Sequence, residues 1–97
     1  MYARIGVMKL EPGHYDEMDA MAQSAPENLK GQKGFVTAVY YSDKENDEFC
    51  TMLVFETKED SDAAMNLIPA ETLKKIRTWS REPAVVSEYY VNNLFSA

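Results

Sequence analysis

Hydrophobic residues along this chain fall either in short near-continuous runs or at helical spacing, and the switches between the two mark its elements. Ala3 to Leu10 is rich in apolar residues and ends at Pro12-Gly13, a dipeptide that punctuates structure. Tyr15, Met18, Ala22, Ala25 and Leu29 then recur at intervals of three and four, which places them on one helical stripe. Asp16, Glu17 and Asp19 sit in the first turns, where negative charge complements the helix dipole. Pro26 disfavours a helical Ala25, so a break or tightened turn is expected there, and Gly31 and Gly34 release the chain.

A second strand is expected over Phe35–Tyr41, which is rich in β-branched and aromatic residues. The polar run Ser42–Glu48 reads as a hairpin loop and returns the chain into a third strand, Phe49–Phe55. Thr57-Lys58-Glu59-Asp60 is a capping-box pattern opening a helix with Ala64, Leu67 and Ile68 on its apolar stripe. Pro69 has no amide to donate and must interrupt that helix. A second helical piece, Glu71 to Trp79, turns Leu73 and Ile76 inward. After Pro83, Ala84–Val91 forms the fourth strand.

The order β-α-β-β-α-β implies an α+β, ferredoxin-like domain over residues 1–97, with a four-stranded antiparallel sheet and its helices on one face. An antiparallel sheet wet on its other face should alternate apolar and polar residues. These strands do not. The second and third each carry one polar residue in seven, Thr37 and Thr51. The pairs Tyr40-Tyr41 and Tyr89-Tyr90 send one ring to each face. Two helices cover one face, and the open one exceeds the apolar patch a monomer usually tolerates. Self-association through sheet faces into a homodimer is therefore expected, against the alternatives of a hetero-partner or a monomer with a ligand-filled face. Covering roughly 700 Å² of apolar surface per subunit gains about 17 kcal/mol before association costs.

Composition narrows the function. With 16 acidic and 10 basic residues the net charge is −6, which argues against a nucleic-acid backbone as partner. The one cysteine, Cys50, forbids an internal disulfide. The amino terminus lacks a signal-peptide pattern, and no apolar run approaches the ~20 residues of a membrane span, so a cytoplasmic location is expected.

Candidate chemistry is sparse. His14, the sole histidine, lies in a turn; it reads as an exposed turn residue or as a general base. No second metal ligand stands at a recognisable spacing, so no metal is expected. Glu59, Asp60 and Asp62 read as a helix start rather than paired catalytic acids. Lys74, Lys75, Arg77 and Arg81 either steer an anionic substrate or sit where a helix end favours positive charge. Trp79 closes one end of a cavity or packs. Six tyrosines and six methionines suit a pocket for a flat aromatic molecule, and equally suit a plain core.

Several short motifs resemble one family. Leu10-Glu11-Pro12-Gly13, Lys33-Gly34-Phe35, Phe55-Glu56-Thr57-Lys58-Glu59-Asp60 and Glu82-Pro83 followed by Glu88-Tyr89 together look like the antibiotic-biosynthesis-monooxygenase-like group of dimeric α+β barrels. The resemblance covers nearly the whole chain and implies a homodimeric barrel with a pocket between each sheet and its own helices. Members include cofactor-independent monooxygenases of aromatic substrates and haem-degrading enzymes. The haem-degrading branch uses an asparagine, a tryptophan and a histidine where this chain has Gly6, Ala64 or Met65, and Lys74 or Lys75, so haem degradation is not expected. For the cofactor-free oxygenases, the resemblance offers Tyr40, Tyr41, Asn66, Arg77 and Trp79 as matching residue types, without a position-by-position match. The expected site takes His14, Trp79 and Tyr41 as catalytic candidates and Tyr40, Asn66, Arg77 and Tyr89 as substrate-binding ones, with no cofactor. The leading expectation is a monooxygenase of a small phenolic or quinol-like molecule. Its rivals are a non-catalytic barrel binding a hydrophobic ligand, and an isomerase or decarboxylase with His14 as base.

Overall fold

In the computed structural model, which describes residues 1–97 with the exception of the Pro26 side chain, the elements follow the expected order. They are β1 (Tyr2–Lys9), α1 (Tyr15–Leu29), β2 (Phe35–Asp43), β3 (Glu48–Phe55), α2 (Lys58–Asn66), α3 (Ala70–Trp79) and β4 (Val85–Tyr90). The sheet is antiparallel with strand order β2-β3-β1-β4, so β1 and β3 are central and β2 and β4 are its edges. This is the α+β, ferredoxin-like arrangement.

Local chemistry explains most boundaries. The Thr57 side chain caps α2 by accepting from the Asp60 amide at 3.0 Å. Pro69 separates α2 from α3 and stands at the N-cap of the latter, where its missing amide costs nothing. The hairpin between β2 and β3 carries a single 3₁₀ turn, Lys44–Asn46, closed by Asp47 in the left-handed conformation at φ 53°. One residue is inserted in β2 between Phe35 and Thr37, a bulge at the entry of that edge strand.

The helix α1 differs from expectation: it continues across Pro26 to Leu29 without a break. Met18 and Ala22 before the proline are packed in the core, and Ala25 just before it and Leu29 after it both face a cavity between helices and sheet. That shared packing holds one axis through the position where an amide is lost.

Register assigns the faces. Tyr2, Gly6 and Met8 of β1 pair with Phe55, Thr51 and Phe49 of β3, and these residues point toward the helices. Met8, Leu10, Met18, Ala22 and Phe49 form the core on that side, with Tyr15, Tyr40, Ile76 and Trp79 packed around them. Leu10 is fully buried, its amide donates to the Asp47 carbonyl at 2.8 Å, and it bridges to Ser80. Beside it, the Glu11 amide donates to the Trp79 carbonyl at 2.8 Å and the Arg81 amide to that of Lys9 at 2.9 Å. These bonds tie the end of α3 to the end of β1.

On the far face, the small residues of the central strands, Ala3, Val54 and Cys50, are buried. Toward the edges the same face is open: Val39 is 42% exposed, Tyr41 46%, Val85 58% and Tyr89 57%.

Candidate functional site

The near face of the sheet and the helices do not close on each other. They leave a cavity of about 620 Å³, within the size range of small-molecule sites. Its floor comes from all four strands: Arg4, Gly6 and Met8 of β1, Tyr40 of β2, Phe49, Thr51 and Leu53 of β3, and Val86 of β4. Its walls and roof come from Met18, Met21, Ala25 and Leu29 of α1, Ala64 and Met65 of α2, and Thr72, Leu73 and Ile76 of α3. Ser24, Asn28 and Gln32 add polar atoms along the α1 side.

The cavity is opened by weak seating of α3. This helix keeps no residue fully buried, whereas Met18 of α1 and Ser61 and Ala64 of α2 are buried. Four methionines, Met8, Met18, Met21 and Met65, line the space. Unbranched and polarisable, they adapt to a flat apolar guest without a fixed shape.

Two ionisable side chains reach the cavity. Arg4 is held by Glu88, its cross-strand partner on β4, at 2.9 Å, so its charge is balanced before any ligand arrives. Burial pushes the Tyr40 phenol above its ordinary value, which keeps it protonated as a donor across the neutral range. No carboxylate, imidazole or thiol is among the lining residues. Among the described residues, no group of three His, Cys, Asp or Glu is placed to hold a metal ion.

Of the residues singled out from the sequence, Tyr40 lines this cavity. Trp79 packs on the adjacent core, and the His14 ring stacks on it, with ring centroids 6.3 Å apart and planes 17° from parallel. His14 Nδ1 lies 2.7 Å from Glu17 Oε1, so one ring nitrogen is engaged at the start of α1. Tyr41 and Tyr89 project from the far face, as period-two geometry requires of the neighbours of Tyr40 and Tyr90. Asn66 ends α2 and Arg77 lies on α3, both exposed and outside the cavity lining.

The charged clusters lie outside the cavity lining. Asp62 pairs with Lys58 at 3.0 Å along α2, a contact of helix neighbours. Lys74, Lys75 and Arg77 are exposed on α3. Gly6, named from the sequence only as a departure from the haem-degrading pattern, and Thr51, named only as a polar strand residue, face each other across β1 and β3 on the cavity floor.

No protein-family model and no curated protein matches the sequence. Solved structures do. An antibiotic biosynthesis monooxygenase superposes with a TM-score of 0.79 at 12% identity, over 96% of this chain and 100% of its own. A monooxygenase from Streptomyces coelicolor in complex with nanaomycin D does so with a TM-score of 0.79 at 12% identity, over 99% and 91%. The chain has the fold of the antibiotic biosynthesis monooxygenases. SnoaB, a cofactor-independent oxygenase from Streptomyces nogalater, adds a third match, with a TM-score of 0.79 at 11% identity over 99% of this chain and 97% of its own. At these identities the likeness establishes the antibiotic-biosynthesis-monooxygenase fold, and chemistry must be argued from the cavity. No helix among the described residues is long and apolar enough to cross a membrane.

Proposed function

We propose that this chain is a monooxygenase that holds a small aromatic, quinol-like molecule in the cavity between sheet and helices and needs no cofactor. The observation that carries it is the cavity itself, about 620 Å³, walled by methionines and aliphatic residues and offering a protonated Tyr40. The matched structures add support: one is described as a cofactor-independent oxygenase, and another holds nanaomycin D.

In this reading the bound phenol or anthrone is itself the reductant. As it loses a proton it passes an electron to molecular oxygen. The two radicals combine to form a carbon–oxygen bond. Loss of the second hydrogen from that carbon, with cleavage of the O–O bond, leaves a carbonyl on the ring and releases the other oxygen as water. The substrate thus supplies both hydrogens and all four electrons. The chain positions the substrate and supplies hydroxyl donors to the oxygen on which charge develops. With no carboxylate or imidazole in the lining, the proton leaves to solvent or through the substrate's own acidity.

The working unit is proposed to be a homodimer formed through the far sheet faces. Val39 and Tyr41 on one edge strand and Val85 and Tyr89 on the other leave large apolar side chains exposed there, and a second copy placed by two-fold symmetry covers them. Tyr41 and Tyr89 then act at the interface.

Oxygen consumption with a panel of hydroquinones and anthrones tests the activity. Uptake that tracks substrate and disappears on boiling is expected; no uptake with any member removes the oxygenase reading. One observation favours a second reading, a ligand-binding barrel without turnover: the lining holds no side chain able to act as a base near neutral pH. It is distinguished by a ligand-dependent rise in melting temperature without product. The isomerase or decarboxylase alternative needs a His14 base facing the cavity, and His14 is outside the lining.

A further inference from the structure

A row of paired residues crosses the cavity floor. From one edge of the sheet to the other it runs Val86, Gly6, Thr51, Tyr40, one residue from each strand. The second member has no side chain. A Cβ built on Gly6 would have the Thr51 Oγ1 at 3.1 Å and no other atom within 4 Å. Backbone conformation does not call for glycine there, because the positive-φ glycines are Gly13 and Gly34. What the missing side chain supplies is room: a slot between Val86 and Thr51, open to the cavity above.

The slot has a polar side. Thr51 Oγ1 borders it, and the Tyr40 hydroxyl stands on the next strand of the same row. Neither hydroxyl makes a hydrogen bond to another described residue, and both residues face the cavity. The rest of the floor is Met8, Phe49 and Leu53, with Arg4 already neutralised by Glu88. A charged ligand would lose its hydration here and meet no free counter-charge. A neutral one would bring a hydroxyl or carbonyl to two unsatisfied hydroxyls.

We propose that Gly6 and Thr51 determine the specificity of this cavity: Gly6 opens a slot in the floor that receives the edge of a flat, uncharged ring system, and Thr51, with Tyr40, hydrogen-bonds the oxygen carried on that edge. This rests on the reading that the cavity binds a small aromatic molecule, and extends it to the ligand's charge, its orientation and the residues that select it.

Three probes of one ring size separate the parts: 2-naphthol, 2-methylnaphthalene and 2-naphthalenesulfonate, titrated calorimetrically into the full-length protein. The wild type is expected to bind 2-naphthol best, by roughly tenfold over 2-methylnaphthalene, as one net hydrogen bond implies, and the sulfonate least. Thr51→Val keeps shape and strand propensity and removes the hydroxyl; it should weaken 2-naphthol by roughly five- to tenfold and leave 2-methylnaphthalene unchanged. Thr51→Ser should restore the preference. Gly6→Val fills the slot and should weaken both neutral probes by tenfold or more, while its melting curve reports that the sheet is intact. Equal affinity of the wild type for the two neutral probes, tightest binding of the sulfonate, or variants that bind like the wild type would each overturn the proposal. So would no binding of any probe at millimolar concentration. Selective binding of 2-naphthol that depends on Thr51, without oxygen consumption on any substrate, removes the oxygenase and leaves this inference standing. Turnover that both variants leave unchanged removes the inference alone.

Discussion

The backbone of Gly34 lies against the side chain of Asp60, so close that a Cβ at position 34 would run into the carboxylate. Gly34 also has a φ of 75°, and its carbonyl accepts from the Glu56 amide at 2.8 Å. The turn into β2 and the start of α2 are thus fitted to each other at one point, and glycine is required there for both conformation and space.

Gly34→Ala should therefore destabilise the fold by about 1–3 kcal/mol, from left-handed backbone strain and displacement of Asp60. Pairing it with Asp60→Ala should recover the second part and leave the first. Urea melts of the single and double variants read the two contributions; additive losses would show that the residues do not meet.

Thr57→Ala should cost about 1 kcal/mol by leaving the Asp60 amide without its cap, and Thr57→Ser should recover most of it. Because Thr57 is exposed, packing loss does not confound the thermal melt.

Tyr40 gives the chain an alkaline limit with a defined sign. Burial raises its native pKa above the ordinary 10.0, so the folded chain holds the phenolic proton more tightly than the unfolded one. That contribution is complete below about pH 10 and is lost as pH rises through the native value. Stability measured from pH 8 to 11 should fall more steeply at the alkaline end for the wild type than for Tyr40→Phe. Parallel curves would show that the phenol is not in a buried site.

Element identity was legible because its signals are local. Pro69 and Pro83 mark where α2 and α3 end, Thr57 marks where α2 begins, and the apolar runs of β2 and β3 already demanded cover on both faces. Pro26 misled because proline's effect on a helix depends on what holds the turns around it, and Met18, Ala22 and Leu29 are brought onto common surfaces only by the folded sheet. The site was legible in kind more than in place. Four methionines and Tyr40 line the cavity, one of the two readings that a composition rich in both left open. The tandem pairs placed Tyr41 and Tyr89 opposite Tyr40 and Tyr90, and only strand register decides which member faces the helices. Gly6 carries no side chain and so no periodic signal, and Thr51 reads as an ordinary strand residue until its cross-strand partner is known.

The demand that two apolar sheet faces place on one short chain underlies the proposed homodimer, and the mass of the purified protein in solution tests it most directly. Light scattering at micromolar concentration should give twice the chain mass of 11.0 kDa, and Tyr89→Glu on the far face should shift the species toward the monomer. A stable 11.0 kDa species, with Tyr41 and Tyr89 in contact with water, would contradict it.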